Sequence, residues 1–125
     1  MEVINSPNAP AAIGPYSQAI KSGGLLFCSG QLGIDPAVGK LVSADVAGQA
    51  AQVFRNIRAV LAAASIDLSA VVKTTVFLAS LDDFTIVNEH YAREFGGRKP
   101  ARSTVQVAAL PLGALVEIEC IAEIT

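Results

Sequence analysis

The chain is organised around Pro100-Ala101-Arg102-Ser103-Thr104-Val105-Gln106-Val107, followed after a short turn by Val116-Glu117-Ile118-Glu119. Read as a strand, the first run alternates: Arg102, Thr104 and Gln106 point one way, Ser103, Val105 and Val107 the other. A guanidinium, a hydroxyl and a carboxamide on one strand face make a poor core. They make a good cradle for a small polar ligand, because arginine presents a planar fork that grips a carboxylate through two parallel hydrogen bonds. The second run alternates as well. Leu115, Glu117, Glu119 and Ile121 share one face, and Val116, Ile118, Cys120 and Ala122 form an apolar stripe on the other. Leu110-Pro111-Leu112-Gly113 supplies turn residues, so the two strands can pair as a hairpin that brings Glu117 near the Arg102/Thr104 face. A surface Arg–Glu cross-strand pair is the plainer account of the same residues.

Upstream, Val71-Val72-Lys73-Thr74-Thr75-Val76-Phe77-Leu78 is rich in β-branched residues and reads as a central strand. A helix begins around Asp82-Asp83, whose carboxylates suit a helix N-terminus, and ends before Gly96-Gly97. Its apolar stripe is Phe84, Val87, Tyr91 and Phe95. Asn88 lies four residues after Phe84 and three before Tyr91, which sets an amide into or beside that stripe; it either ties a loop or faces a ligand. His90, the only histidine, lies roughly 200° around the helix from Asn88 and is expected to point to solvent. A Ser-His-Asp triad would have to use it, and one histidine without clustered carboxylates gives no zinc site.

An earlier helix is capped by Asp45, with Val46, Ala50, Val53, Ile57, Val60 or Leu61, and Ala64 at helical spacing. Gln49, Gln52 and Asn56 mark its wet side. Before it, Ile4 to Pro10 reads as an irregular extended segment, and a strand is expected from Tyr16 to about Lys21. Ser22-Gly23-Gly24 turns the chain into a returning strand, Leu25-Leu26-Phe27-Cys28-Ser29. A Ser-Gly step after a buried strand, as at Ser29-Gly30-Gln31, either exposes backbone N–H groups to a neighbour or is a plain turn. Asp35 to Lys40 is a loop.

The coarse pattern is β-β-α-β-α-β-β: an α+β fold with two helices on one face of a mixed sheet, and one domain over residues 1–125. With 52% hydrophobic and 16% charged residues the chain is more apolar than an average domain, at about 45–50% and about 25%. The surplus points to a subunit interface on the sheet face that the helices leave open. Net charge is −2 and no run of Lys and Arg gathers, so nucleic acid is not an expected partner. Cys28 and Cys120 fall in apolar runs without a Cys-x-x-Cys pair, and are read as two reduced buried thiols of a cytoplasmic protein. Met1-Glu2 opens without a basic segment, so no secretory leader is expected. The longest uncharged stretch, Val3 to Ile20, carries three prolines and cannot be a membrane helix.

Gly14-Pro15-Tyr16-Ser17-Gln18, Ser29-Gly30-Gln31, Lys73-Thr74-Thr75-Val76-Phe77, Val87-Asn88 with Tyr91, Pro100-Ala101-Arg102-Ser103 and Val116-Glu117-Ile118 together resemble the YjgF/RidA family, over essentially the whole chain and in the family's order. The resemblance implies a chorismate-mutase-like α+β fold and a homotrimer with clefts between adjacent subunits. It implies hydrolysis of reactive enamines and imines, such as 2-aminoacrylate, to 2-keto acids and ammonia without a cofactor or metal. Carried over by motif, Arg102 holds the substrate carboxylate and Glu117 positions the attacking water. Ser29 and Gly30 line the cleft, and Tyr16 and Asn88 shape it. Thr104 is a departure, because the best-studied branch has Cys two residues after the Arg. A threonine can donate a hydrogen bond but lacks a thiol's chemistry, which hydrolysis through water does not need. A guanidinium near Glu117 would keep it ionised. Two other readings are a keto-acid-binding regulatory protein that uses the same cleft without turnover, and a ribonuclease, an activity attached to parts of this family; acidic pI and the lack of a basic patch weigh against the latter.

Overall fold

The computed structural model describes residues 1–125. Its strands are β1 (Glu2–Ile4), β2 (Ala19–Ser22), β3 (Leu25–Leu32), β4 (Ile34–Asp35), β5 (Lys40–Leu41), β6 (Val71–Leu78), β7 (Ala101–Gln106) and β8 (Val116–Glu123). Helix α1 (Val46–Ala63) lies between β5 and β6, and α2 (Phe84–Phe95) between β6 and β7. Six strands form one mixed sheet in the order β1-β2-β3-β8-β6-β7, and β4 and β5 form a separate two-stranded ribbon. Both helices pack on one face of the large sheet in a single core that includes Phe54, Val60, Val87, Phe95, Val76 and Ile118. No helix is long and apolar enough to cross a membrane.

The apolar stripe of β8 explains its central place. Val116, Ile118, Cys120 and Ala122 are all buried against the helices. β8 pairs antiparallel with both β3 and β6. β6 in turn separates β8 from β7, which runs parallel to it, so the expected β7–β8 hairpin does not form. Nine residues join the two strands, a reach of up to about 30 Å, against about 10 Å across two strand spacings. The connection therefore passes easily over the end of β6. β7 has almost no buried side chain and occupies the edge, where an exposed strand costs least.

The helix boundaries follow local chemistry. The Asp45 carboxylate accepts from the Gly48 N–H at 2.6 Å and starts α1. Ser80 caps the turn ahead of α2, and Gly96 ends α2 in the left-handed region at φ 60°. Gly23 and Gly24, at φ 59° and 79°, make the two-residue turn between β2 and β3.

Several local expectations change. The opening segment contributes β1 as an edge strand, and the Asp35–Lys40 loop closes the β4–β5 ribbon. Tyr16 precedes the strand, which starts at Ala19: Gly14 sits at φ 121° and its carbonyl accepts from the Tyr16 N–H, bending the chain there. Gln49, Gln52 and Asn56 are buried. Asn56 donates to the Leu32 and Ile34 carbonyls, and Gln49 accepts from the Leu115 N–H, so α1 is tied through amides to the ends of β3 and β8. His90 is half-buried rather than free in solvent: its ring lies 5.8 Å from that of Phe54 on α1 while its Nδ1 meets Arg93 at the surface, and burial lowers its pKa. Phe84 leaves the apolar stripe and is exposed. Cys28 and Cys120 are free, buried register partners on β3 and β8. Contact with Cys28, then burial, pushes the Cys120 thiol far up.

Candidate active site

A break in the regularity of β3 aims one group of site residues. On β3, Ser29 and Gly30 together oppose Glu119 alone, because Cys28 pairs with Cys120 and Gln31 with Ile118. The extra residue is a bulge that turns the Ser29-Gly30 step toward the Glu117 side chain. A Cβ built on Gly30 would lie 2.6 Å from Glu117 Oε2, so only glycine leaves the carboxylate its place. Ser29 is fully engaged locally: its N–H donates to the Gln18 carbonyl and its hydroxyl to the Ser17 carbonyl at 2.6 Å. The N–H offered by a Ser-Gly step is therefore not Ser29's.

Gln18 is buried and bonds to Ser6 and Pro10, which pins the segment carrying Tyr16 over this end of the sheet. Tyr16, Ser29, Gly30 and Glu117 line one open cavity of about 650 Å³, with Ile13 and Leu112 at its apolar rim. Leu112 is one of two non-glycine residues at positive φ, 62°. Burial, and secondarily Glu119 two residues on, raise the Glu117 pKa above its ordinary 4.5.

Arg102 is elsewhere. Its register partner across β6 is Thr74, whose partner on β8 is Cys120, so Arg102 lies on the helix-covered face of the sheet. Its Nη1 donates to Asn88 Oδ1 at 2.8 Å, and its guanidinium lies 4.8 Å from the centre of the Tyr91 ring and 5.6 Å from that of Phe84. Thr104 shares this face opposite Val76. Glu117 pairs with Phe77 on the other face. Within one chain Arg102 and Glu117 thus point to opposite sides of the sheet, and neither the cross-strand pair nor an Arg102 charge holding Glu117 ionised occurs there. Gln106, expected beside Arg102 as a ligand group, instead accepts from the Leu81 N–H ahead of α2.

The structure therefore gathers Tyr16, Ser29, Gly30 and Glu117 into one cluster, and Arg102, Asn88 and Thr104 into another. Sequence reading missed the aromatic bed under Arg102. The signal was present, since Tyr91 follows Asn88 by three residues and falls on the same helix face. Thr104 Oγ1 is the sole buried side-chain polar atom without a hydrogen-bond partner in the chain. Leaving a hydroxyl so costs about 1–3 kcal/mol. Thr104→Val, which removes the unpartnered hydroxyl and keeps the shape, should raise the melting temperature in a thermal scan. No group of three His, Cys, Asp or Glu side chains is placed to hold a metal ion.

The family model described as Endoribonuclease L-PSP matches residues 6–124. The chain belongs to the YjgF/RidA family. It is similar to Reactive Intermediate Deaminase A, chloroplastic, of Arabidopsis thaliana, with 57% identity over 121 residues; the match covers 97% of this chain but 65% of the plant protein's length. It is 50% identical over 120 residues to the 2-iminobutanoate/2-iminopropanoate deaminase of Homo sapiens, covering 96% of this chain and 88% of the human one. Among solved structures, one from Yersinia pestis described as a protein of unknown function of the conserved Rid protein family superposes with a TM-score of 0.96 at 52% identity, covering 98% of both chains. The sheet of six strands with two helices is thus the architecture of solved YjgF/RidA members.

Proposed function

We propose that this protein is a hydrolytic deaminase of 2-imino and 2-enamino acids, active as a homotrimer of chorismate-mutase-like subunits. The observation that carries the reading is two polar clusters on opposite faces of a single sheet, which a neighbouring copy can join into one site. Arg102, Asn88 and Thr104 on one copy meet Tyr16, Ser29, Gly30 and Glu117 on the next, and each half is incomplete alone. The apolar surplus of the open face supports assembly: Phe27 and Val105 are 43% and 42% exposed there. The names of relatives about 50% identical support the chemistry.

The imine carbon is already electrophilic, so the enzyme's task is orientation and proton transfer. Arg102 fixes the substrate carboxylate through its fork. Glu117 takes a proton from water as the oxygen bonds to C2 of the protonated imine and the C=N π electrons pass to nitrogen, giving a neutral carbinolamine. Glu117 returns that proton to the carbinolamine nitrogen, then takes the hydroxyl proton as the C–N bond breaks, so the oxygen becomes the keto oxygen and ammonia leaves, picking up that last proton as ammonium. Water enters and ammonia leaves, with no cofactor consumed.

Ammonia release from freshly generated 2-aminoacrylate tests the chemistry, and its absence despite bound keto acid would make the protein a sensor. Assembly is tested by light scattering, which should give about three times the 12.9 kDa chain mass. Co-expressing Arg102→Ala with Glu117→Gln tests the shared site. Random mixing leaves intact halves facing each other at about a quarter of the interfaces, so about a quarter of wild-type activity should return. No recovery in verified mixed trimers would mean that Arg102 and Glu117 do not share one site, and the shared-cleft reading would fall.

A further inference from the structure

Thr74 is a buried hydroxyl in the middle of β6, and its side-chain partner is the Tyr91 hydroxyl at 2.7 Å. Packing alone does not call for this pair: replacing both partners of a buried hydrogen bond by apolar groups of the same shape is close to neutral. What the pair fixes is the plane of the Tyr91 ring. Phe95 lies 4.7 Å from that ring and Phe54 meets it edge-on at 5.9 Å, so the core closes around it. The Arg102 guanidinium lies over the ring at 4.8 Å. Thr74 and Arg102 are register partners on adjacent strands, which makes a closed triangle of Thr74, Tyr91 and Arg102.

We propose that Tyr91, braced by Thr74, is a positioning residue that presents the Arg102 fork to the substrate carboxylate. The inference rests on the deaminase reading for its consequence in turnover, but not for its geometry. An exposed arginine samples many rotamers, and a fork that must meet a carboxylate bidentately gains from being held beforehand. Asn88 holds one end of the guanidinium by a hydrogen bond, and the ring defines its plane through a cation–π contact. Asn88 and Tyr91 lie one turn apart on α2, so a single helix face supplies both restraints.

The test uses the full-length protein and three variants, Tyr91→Leu, Tyr91→Phe and Thr74→Val, with Arg102→Ala alongside. The first readout is the Arg102 Nε–H resonance, assigned by its loss in Arg102→Ala. It should be displaced by the ring in wild type and return to the ordinary arginine position in Tyr91→Leu. The second is binding of a 2-keto acid and the split between KM and kcat for imine hydrolysis. Tyr91→Leu should raise Kd and KM about tenfold while kcat falls less than about threefold, because a held carboxylate contributes alike to ground and transition states. Tyr91→Phe and Thr74→Val each remove the same bond. Each should raise KM about two- to threefold, and the double variant should be no worse than either. An unchanged resonance in Tyr91→Leu, or a lower melting temperature with KM unchanged, would make Tyr91 a core residue only and overturn the proposal. If Arg102→Ala itself left KM unchanged, the deaminase reading would fall, while the resonance would still decide whether Tyr91 orders Arg102.

Discussion

Replacing Arg102 by lysine should lower kcat/KM for imine hydrolysis roughly ten- to several-hundred-fold, and replacing it by alanine should cost more. Charge-assisted hydrogen bonds contribute about 1.5–3 kcal/mol each, and lysine keeps the charge while losing the second bond and the fixed plane. The structure sharpens the expectation. Lysine also forfeits the Asn88 contact and the stacking on Tyr91, so its ammonium is neither aimed nor held. Arg102 is exposed on an edge strand within the chain, so losing its Asn88 and Tyr91 contacts should lower the subunit's own stability by only about 1 kcal/mol. Steady-state kinetics on both variants, with melting and particle mass recorded beside them, decide the matter. A fully active Arg102→Lys would end the carboxylate-clamp model. The fallback of a structural pair with Glu117 inside one chain is already closed, because the two side chains lie on opposite faces.

That separation marks the boundary of what the sequence could disclose. Alternation in Val116 to Ala122 and the β-branched run at Val71 to Leu78 gave two strands and their buried faces, because period and burial are local properties of a chain. Asp45 and Gly96 placed helix ends for the same reason: a cap is made within a few residues. Which strand lies beside which is not local. Pro100 to Val107 and Val116 to Glu119 are neighbours in sequence and look like a hairpin, yet β6 is a better partner for both and enters between them. The buried amides of Gln49, Gln52 and Asn56 mislead in a different way. Polarity suggests a wet face, but the carbonyls that satisfy Asn56 come from Leu32 and Ile34, 22 to 24 residues away. Arg102 and Glu117 were legible as chemical groups, and their relation was not, since it depends on the strand order, which sets the two side chains on opposite faces of the sheet.

Glu117→Gln should abolish most turnover, with kcat down about 10²- to 10⁴-fold, the range that general-base catalysis contributes. KM should change little, since the amide keeps the shape of the site and Arg102 still holds the carboxylate. The pH profile carries the finer test. Burial first and Glu119 second raise the folded pKa of Glu117 above 4.5. A base works deprotonated, so kcat/KM should be full well above that raised value and fall as pH drops through it. Glu119→Gln should move this limb to lower pH. A limb at or below 4.5 would mean that a guanidinium from the neighbouring copy outweighs burial. Stability runs the other way, because a carboxyl with a raised folded pKa contributes stability below its unfolded pKa and loses it as pH rises through the folded one. Glu117→Gln should therefore melt higher than wild type at pH 7 and lose that advantage as pH falls toward 4.5. A variant that is more stable yet inactive cannot owe its inactivity to unfolding. Gly30→Ala completes the argument from the opposite side: it keeps the carboxylate and moves it, since the new Cβ would lie 2.6 Å from Oε2. The flexible Glu117 side chain can yield at small cost in stability, so Gly30→Ala should melt close to wild type while losing at least about tenfold in kcat from misplacement alone. Full activity in Gly30→Ala would show that the position of the carboxylate is immaterial, and Glu117 could not then be the base.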